Sequence, residues 1–188
     1  YFTLTTAFKA ELGAFTYLTQ ASAEGTDVTK DILTRTLADF EESRGFSLSE
    51  EQSLGVSLTQ KRAGVLSGCA GSGKTTTSDC MTMALENSGY TVLYAAPTGK
   101  AAKRLSEVVG RPVKTIHSFF RVPVGQRLPI SPEYELTLGE LPDDALPGNC
   151  AIIFDEMAMC DSMLLSIAVV SAFTANPRVL MYFLGDVK

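Results

Sequence analysis

Apolar side chains recur with a helical period over the first 45 residues of the chain. This period predicts one helix from Tyr1 to about Ala23 and a second from about Val28 to Ser43, which ends at Gly45. Neither helix carries side chains that indicate chemistry. We therefore interpret residues 1–45 as an N-terminal helical appendage or linker to the domain that follows.

From residue 46 onward the pattern changes to short apolar runs separated by segments of helical character. The apolar runs, which predict buried strands, are residues 63–67, 91–96, 150–154 and 178–184. The helical segments are about 49–61, 75–87 and 100–109, and Gly110 ends the last one. This alternation predicts one domain over residues 46–188, with a three-layer α/β fold in which helices cover both faces of a parallel sheet.

The composition predicts a soluble globular domain. The chain has 188 residues, 45% of them hydrophobic, and a net charge of −5. No apolar run approaches the ~20 residues of a membrane span, so we expect no membrane partner. Four cysteines without C-x-x-C spacing, and His117 as the single histidine, disfavour zinc and are typical of the cytoplasm. Because the chain starts at Tyr1 rather than Met, we expect it to be a piece of a longer protein. We expect this piece to be monomeric.

The stretch from Gly68 to Thr75 has the pattern G-x-x-x-x-G-K-[ST] between a predicted strand and a predicted helix. Glycines permit backbone angles that turn successive N–H groups toward phosphate oxygens, and the helix dipole adds positive charge. In this pattern the Lys74 side chain reaches the β- and γ-phosphates and the Thr75 hydroxyl binds Mg²⁺. A chance match has odds below about one in a hundred at average residue usage. The stretch therefore predicts a site for a nucleoside triphosphate with Mg²⁺.

Carboxylates follow two of the predicted strands. Asp155 and Glu156 come directly after residues 150–154, and Asp186 follows the last strand. The carboxyl edge of such a sheet is where ligands bind. We predict that Asp155 holds Mg²⁺ and that Glu156 orients and deprotonates the attacking water. Asp-Glu is also common at strand exits without any function, but its place downstream of a phosphate loop favours the catalytic interpretation.

Gln52 has two interpretations that the residues alone leave open. The segment from Ser49 to Gln52 matches a capping box, in which Gln52 only satisfies the start of a helix. Alternatively its amide contacts adenine, since an amide both donates and accepts hydrogen bonds. The residues predicted to bind the nucleotide are Gln52, Gly68, Cys69, Ala70, Gly71, Ser72, Gly73, Lys74, Thr75, Thr76 and Asp186.

Positive charge is concentrated between residues 98 and 121. Six basic residues lie there beside one acidic residue, Glu107, whereas residues 1–60 hold four basic and nine acidic side chains. Such a patch is either a solvated helix face or an anion-binding face, and its density favours phosphate contacts. The proline-rich segment 121–148 is predicted as an inserted hairpin with strands at Phe119–Val124 and Tyr134–Leu138, or as a plain connection.

Taken in order, the motifs resemble those of superfamily-one DNA helicases of the RecD/TraA type, which move 5′ to 3′ on single strands. Residues 68–75 are similar to helicase motif I, residues 96–102 (APTGKAA) to motif Ia, and residues 115–118 (TIHS) to the next DNA-contacting motif. Residues 155–159 (DEMAM) resemble motif II, and Gly185-Asp186 resembles the start of motif III. Gln52 looks like the adenine-reading glutamine of this family.

The resemblance implies a RecA-like P-loop NTPase fold and an ATP-dependent DNA helicase that couples ATP hydrolysis to translocation on single-stranded DNA, in repair, recombination or conjugation. It implies catalytic roles for Lys74, Asp155 and Glu156, and a metal site at Thr75 and Asp155. It also places residues 121–148 where the family has a hairpin that splits duplexes. The implied DNA contacts are Pro97, Thr98, Gly99, Lys100, Thr115 and His117.

In this family a second RecA-like domain completes the ATP site with arginines, and the chain does not contain it. We therefore expect the 188 residues alone to bind ATP with Mg²⁺ but to hydrolyse it slowly.

Three other functions are compatible with parts of the pattern. A helicase-like segment of a relaxase would bind single strands without hydrolysing ATP, which the intact Lys74 and Glu156 disfavour. A P-loop kinase does not need the Asp-Glu pair, and an interaction domain would leave all of these side chains unused.

Overall fold

The computed structural model describes residues 2–69, 71–121 and 146–186, with side chains of the first helix described from residue 11 onward. The helices are α1 (Phe2–Ala23), α2 (Lys30–Arg44), α3 (Glu50–Ser57), α4 (Lys74–Asn87), α5 (Gly99–Val109), α6 (Ile116–Phe119) and α7 (Ser162–Ala175). The strands are β1 (Ala63–Gly68), β2 (Thr91–Ala96), β3 (Val113–Thr115), β4 (Cys150–Phe154) and β5 (Leu180–Asp186). Short 3₁₀ turns lie at Leu58–Gln60 and Met157–Met159.

The five strands form one parallel sheet in the order β1-β5-β4-β2-β3. The predicted α/β fold with a parallel sheet is therefore confirmed. The last strand, β5, lies between β1 and β4, so its end is flanked by the phosphate loop on one side and by the exit of β4 on the other. The register pairs Gly68 with Asp186 and Phe154 with Phe183, which brings these strand ends to a common edge.

Side chains of the sheet alternate between two separate apolar cores, which gives three layers. Ile152 and Phe154 of β4 point into a core shared with α1 and α7. Ala151 and Ile153 of the same strand point into a core shared with α2, α4 and α5. All five residues of β4 are buried, as expected for a parallel strand covered on both faces. This rigid strand ends at Asp155.

The two N-terminal helices pack on opposite faces of the sheet. In α1 the Tyr17 ring stacks on Phe173 of α7, with ring centroids 4.9 Å apart. In α2 the Thr36 hydroxyl accepts a hydrogen bond of 3.0 Å from the side-chain amide of Asn87 at the end of α4. The link between the helices runs past the edge of the sheet, where Gly25 forms an antiparallel bridge with Lys61 just before β1. The division at residue 45 stays a prediction.

Three features of the structure differ from the pattern-based expectations. Phe119 lies at the end of α6 and not in a strand, because the Thr115 hydroxyl accepts a hydrogen bond from the Ser118 N–H and starts a helical turn there. Phe120 and Arg121 of that predicted strand are in the turn after α6. Its residues 122–124, like the predicted strand at 134–138, fall outside the described residues. The pattern also does not predict α7 or β3.

In the part of the chain that the structure describes, no helix combines the length and the apolar character that crossing a membrane requires.

Candidate nucleotide site

The phosphate loop runs from the end of β1 to the start of α4. Its conformation requires glycine at several positions. Gly71 and Gly73 both have φ of 81°, in the left-handed region that side chains rarely adopt. A Cβ on Gly68 would lie 2.6 Å from the Ser72 hydroxyl. Gly73 is the N-cap of α4 and has no side chain to cap it, so the first N–H groups of the helix can bind an anion. This loop fits a phosphate group.

The Lys74 side chain lies along this loop and contacts three oxygens. Its Nζ donates to the backbone carbonyls of Gly68 and Cys69, each at 2.9 Å, and lies 2.5 Å from the Oδ1 of Asp186. The Asp186 contact crosses from the start of α4 to the end of β5. Lys74 is therefore already directed toward the sheet edge where the carboxylates meet.

Asp155 and Glu156 leave β4 at the same edge. The Asp155 N–H donates to the carbonyl of Ala95 in β2 (3.0 Å), and the Glu156 N–H donates to the Oδ1 of Asp155 (2.8 Å). Glu156 has φ of 57°, which is uncommon for a residue with a side chain and is typical of functional sites. The turn that follows packs on β5, where a Cβ on Gly185 would lie 3.3 Å from the Ala158 nitrogen.

Three charged groups lie close enough to Asp155 to change its pKa, namely Glu156, Lys74 and Asp186. Burial raises the pKa of the Asp155 carboxyl above its ordinary value, and the negative charges of Glu156 and Asp186 raise it further. The hydrogen bond from the Glu156 N–H and the positive charge of Lys74 act in the opposite direction. A carboxyl with a raised pKa among other carboxylates is suited to a divalent cation, which offsets their mutual repulsion.

Gln52 caps α3 and also contacts the phosphate loop. Its Oε1 accepts a hydrogen bond from the Ser49 N–H at 2.9 Å, and the Ser49 hydroxyl accepts one from the Gln52 N–H at 3.2 Å. The capping box is therefore confirmed. The other end of the amide lies over Gly73, where a Cβ would be 2.2 Å from Nε2. An adenine contact stays a prediction, and the Nε2 donor faces the loop where a nucleotide would bind.

The other predicted nucleotide ligands lie around the same loop. Cys69, Ser72 and Thr75 are exposed, and Thr76 is partly buried in the first turn of α4. Ala70 lies outside the described residues. Thr75 offers a hydroxyl at the start of α4 and Asp155 a carboxylate at the exit of β4, so the two predicted Mg²⁺ ligands provide the oxygen donors that this ion prefers.

The six predicted DNA-contacting residues lie at the exits of two neighbouring strands, β2 and β3. Ala96 pairs with Thr115, so the segment that follows each strand starts at the same edge of the sheet. The Thr98 hydroxyl caps α5 by accepting from the Ala101 N–H at 3.2 Å. Pro97 is buried and His117 is partly buried, whereas Gly99 and Lys100 are exposed. The structure therefore brings the predicted residues together, and their contact with DNA stays a prediction.

Comparison with known proteins assigns the domain. A family described as an AAA domain matches residues 47–188. The chain belongs to this AAA domain family. It is also similar to the ATP-dependent RecD2 DNA helicase of Deinococcus radiodurans, with 48% identity over 71 residues. That segment is 37% of this chain and 10% of the helicase.

Together the two matches confirm the resemblance to RecD-type superfamily-one helicases. The AAA domain contains every residue discussed above, from Gln52 to Asp186, and the chain is a helicase-type ATP-binding motor domain.

A charged residue that the sequence analysis did not assign to the nucleotide site also contacts it. The guanidinium Nη1 of Arg104, on α5, lies 3.7 Å from the Oε1 of Glu156. The sequence places Arg104 in the basic patch without connecting it to a carboxylate. Its one local signal is the spacing of four residues from Lys100, which places both side chains on one helical face.

Proposed function

We propose that this domain is the ATP-binding motor of a DNA helicase, which couples ATP hydrolysis to movement along single-stranded DNA. The observation that carries the proposal is the convergence of Lys74, Asp155, Glu156 and Asp186 on the phosphate loop. The family match and the similarity to a RecD2 helicase support it. A role in repair, recombination or conjugation, and a place in the cytoplasm, belong to the same proposal.

Each residue of the site has a separate role in the proposed phosphoryl transfer. Mg²⁺-ATP would supply the transferable phosphoryl group and a cation that neutralises charge on it. Lys74 binds negative charge at the loop, and the first N–H groups of α4 add to it. Thr75 and Asp155 would hold the metal. Glu156 stands at the β4 exit in a fixed backbone conformation, where its carboxylate can accept a proton from water.

The proposed track for DNA lies beside this site, at the start of α5 and α6. Lys100 is exposed at the start of α5, and Thr98, Gly99, Thr115 and His117 surround the same sheet edge. Contacts of this kind bind phosphates and give affinity without sequence preference. The track is incomplete in one domain of this family, so we also propose that a second RecA-like domain contributes the rest, together with cationic side chains for hydrolysis.

The test is ATP hydrolysis by the full chain as it occurs in the cell, with and without single-stranded oligodeoxythymidylate. We expect DNA to stimulate hydrolysis, and Glu156→Gln to retain ATP binding while hydrolysis falls by about 10² or more, as for loss of a general base. Glu107→Gln, which removes an exposed glutamate of α5, is the matched control. Hydrolysis at the wild-type rate by Glu156→Gln would contradict the assignment of the base. DNA binding without any hydrolysis would instead support the relaxase-like alternative.

A further inference from the structure

A groove lies on the face of the sheet that α2, α4 and α5 cover. Its volume is about 520 Å³, which is within the range of roughly 300–1,000 Å³ for small-molecule sites. Its walls are the last turns of α2, the later turns of α4 and the end of α5, and Tyr94 of β2 lies at its floor. None of the residues assigned above to the nucleotide or to DNA lines it. The groove is therefore a candidate site for a second ligand.

Two ion pairs on the walls leave the groove without net charge. The Arg44 Nη2 lies 3.3 Å from the Oδ2 of Asp79, and both terminal nitrogens of Arg111 contact the carboxylate of Glu86. The two carboxylates are seven residues apart on α4, so they project from one face of this helix. Positive and negative charges balance in this lining. A neutral ligand fits it best, because a charged ligand would compete with one of the pairs.

The unused hydrogen-bonding capacity of the groove consists of acceptors. In the part of the chain that the structure describes, the Oδ1 of Asp79 accepts no hydrogen bond. At the floor, the Thr82 hydroxyl donates to the Ser78 carbonyl at 2.8 Å, so the Tyr94 hydroxyl donates to Thr82 at 2.5 Å and keeps an acceptor of its own. Burial raises the pKa of the Asp79 carboxyl, although two neighbouring guanidinium groups act in the opposite direction. A ligand with N–H or O–H donors would therefore satisfy these oxygens.

Asp79 and Arg44 together define the pattern that a ligand edge must have. The carboxylate accepts hydrogen bonds, and the guanidinium uses one N–H in the pair and has others to donate. The guanidinium is held over the Phe40 ring, 5.3 Å from its centroid. The complement is a planar edge on which a carbonyl oxygen lies beside N–H donors. Guanine has this edge, whereas adenine has a ring nitrogen acceptor where guanine has its N1–H.

The apolar part of the lining fits the flat face of such a ring. Met83 of α4 and the pair Val108 and Val109 of α5 line the groove. Val108 is 58% exposed, so a ring that lies against it would remove apolar surface from water. The groove therefore combines an apolar wall with a polar edge, as sites for small aromatic ligands do.

We propose that the groove between α2, α4 and α5 binds a nucleoside with a guanine-type base. The Asp79 carboxylate accepts hydrogen bonds from the N1–H and the amino group of the base, and the Arg44 guanidinium donates to its carbonyl oxygen. The ring lies against Met83 and Val108. This site goes beyond the proposed function, because it uses neither the phosphate loop nor the surface proposed for DNA.

The first test titrates the full chain with guanosine, inosine and adenosine by isothermal titration calorimetry. Saturating Mg²⁺-ADP is present, so that the nucleotide site is occupied. We expect guanosine to bind about tenfold or more tighter than inosine, which lacks the amino group, since this is the size of one hydrogen bond to a charged group. Adenosine should bind most weakly. Equal affinities for the three nucleosides, or no binding of guanosine, would contradict the proposal.

The second test changes the carboxylate through Asp79→Asn. Asparagine keeps the shape of the side chain but presents a donor in place of one acceptor. We expect the affinity for guanosine to fall by about tenfold or more and its advantage over inosine to be lost. Asp31→Asn, at an exposed aspartate of α2 outside the groove, is the control. If Asp79→Asn weakens guanosine and inosine by the same factor, Asp79 has only a structural role and the proposal is wrong.

The third test fills the groove through Val108→Phe and leaves its charges unchanged. Val108 is exposed, so the larger side chain does not enter the core, but it would occupy the space assigned to the ring. We expect guanosine binding to be lost and the affinity for Mg²⁺-ADP to stay unchanged. Glu107→Phe, at the preceding exposed position of α5, is the matched control. Guanosine binding by Val108→Phe at the wild-type affinity would place the nucleoside elsewhere and overturn the proposal.

Discussion

The Nζ of Lys74 lies 2.5 Å from the Oδ1 of Asp186, and this contact joins the first residue of α4 to the last residue of β5. The backbone carbonyls of Gly68 and Cys69 in the phosphate loop accept hydrogen bonds from the same ammonium group. Lys74 therefore has a fixed place between the loop and the carboxylate edge. Phosphate oxygens carry the same sign of charge as Asp186, so a bound nucleotide would find this ammonium group already oriented.

Removal of the Lys74 charge should abolish most nucleotide binding. Charged hydrogen bonds contribute about 1.5–3 kcal/mol each, so Lys74→Ala is expected to weaken ATP binding by about 10- to 100-fold. Isothermal titration calorimetry of the purified protein with Mg²⁺-ATP measures this change. Lys30→Ala, at an exposed lysine that begins α2, is the control. Unchanged affinity in Lys74→Ala would mean that the loop does not bind the phosphates.

Gln52→Glu separates the capping role of this residue from an adenine contact. A glutamate keeps the oxygen that accepts the Ser49 N–H but removes the Nε2 donor that lies over Gly73. We therefore expect a melting temperature close to that of the wild type and the loss of any preference for ATP over GTP. Thermal unfolding and competition binding measure the two effects. A retained preference for ATP would mean that Gln52 only caps α3 and does not contact adenine.

Asp155→Asn should stabilise the nucleotide-free protein at neutral pH. Burial raises the pKa of Asp155, so the folded protein binds this proton more tightly than the unfolded chain does, and ionisation of Asp155 lowers the free energy of unfolding. Asparagine keeps the acceptor for the Glu156 N–H without the charge. A domain of this size gains about 2–4 °C in melting temperature per kcal/mol.

The pH dependence is the decisive measurement for Asp155. The gain should be present at pH 7, shrink as the pH falls below the raised pKa of Asp155 in the folded protein, and vanish below the ordinary aspartate pKa of about 3.9, where both states are protonated. Differential scanning fluorimetry across this range follows it. Asp39→Asn, at an exposed aspartate of α2, should show no comparable change. A gain for Asp155→Asn that persists undiminished at low pH would contradict the ionisation argument.

Lys100→Gln should weaken DNA binding for every sequence alike. A phosphate contact contributes through counterion release, so losing one lowers the slope of log affinity against log salt by about 0.7 for single strands. Anisotropy titrations with several oligonucleotides over a range of salt concentrations measure both effects, with Arg35→Gln as the control. Identical salt dependence in the variant and the wild type would mean that Lys100 is a solvated surface residue that does not contact DNA phosphates.

Features with a local signal could be predicted from the sequence. The phosphate loop, the buried strand before Asp155 and the glycines that end α2 and α5 depend on neighbouring residues, and Gly45 and Gly110 do adopt the left-handed conformation. The helix α7 shows no period because it is apolar nearly all round, as expected for a buried helix. The strand β3 has three residues and owes its conformation to pairing with β2.

The contacts that complete the site depend on the strand order, which no local pattern specifies. Asp186 meets Lys74 because β5 lies beside β1, and the two residues are far apart in the chain. The Arg104 contact with Glu156 likewise requires β2 and β4 to be neighbours. Residue types at strand exits therefore predict the chemistry of the site, and the tertiary fold decides which of them touch.

The placement of α1 and α2 on opposite faces of the sheet has a consequence for how the chain responds to proteases. A cut between Gly45 and Leu48 would release neither helix, because α1 is held against α7 by Tyr17 and Phe173 while α2 is held against α4 by Thr36 and Asn87. Such a nicked protein should stay together under native conditions. Physical removal of the first 45 residues would uncover apolar surface on both sides of the sheet at once, although every motif of the nucleotide site would still be present.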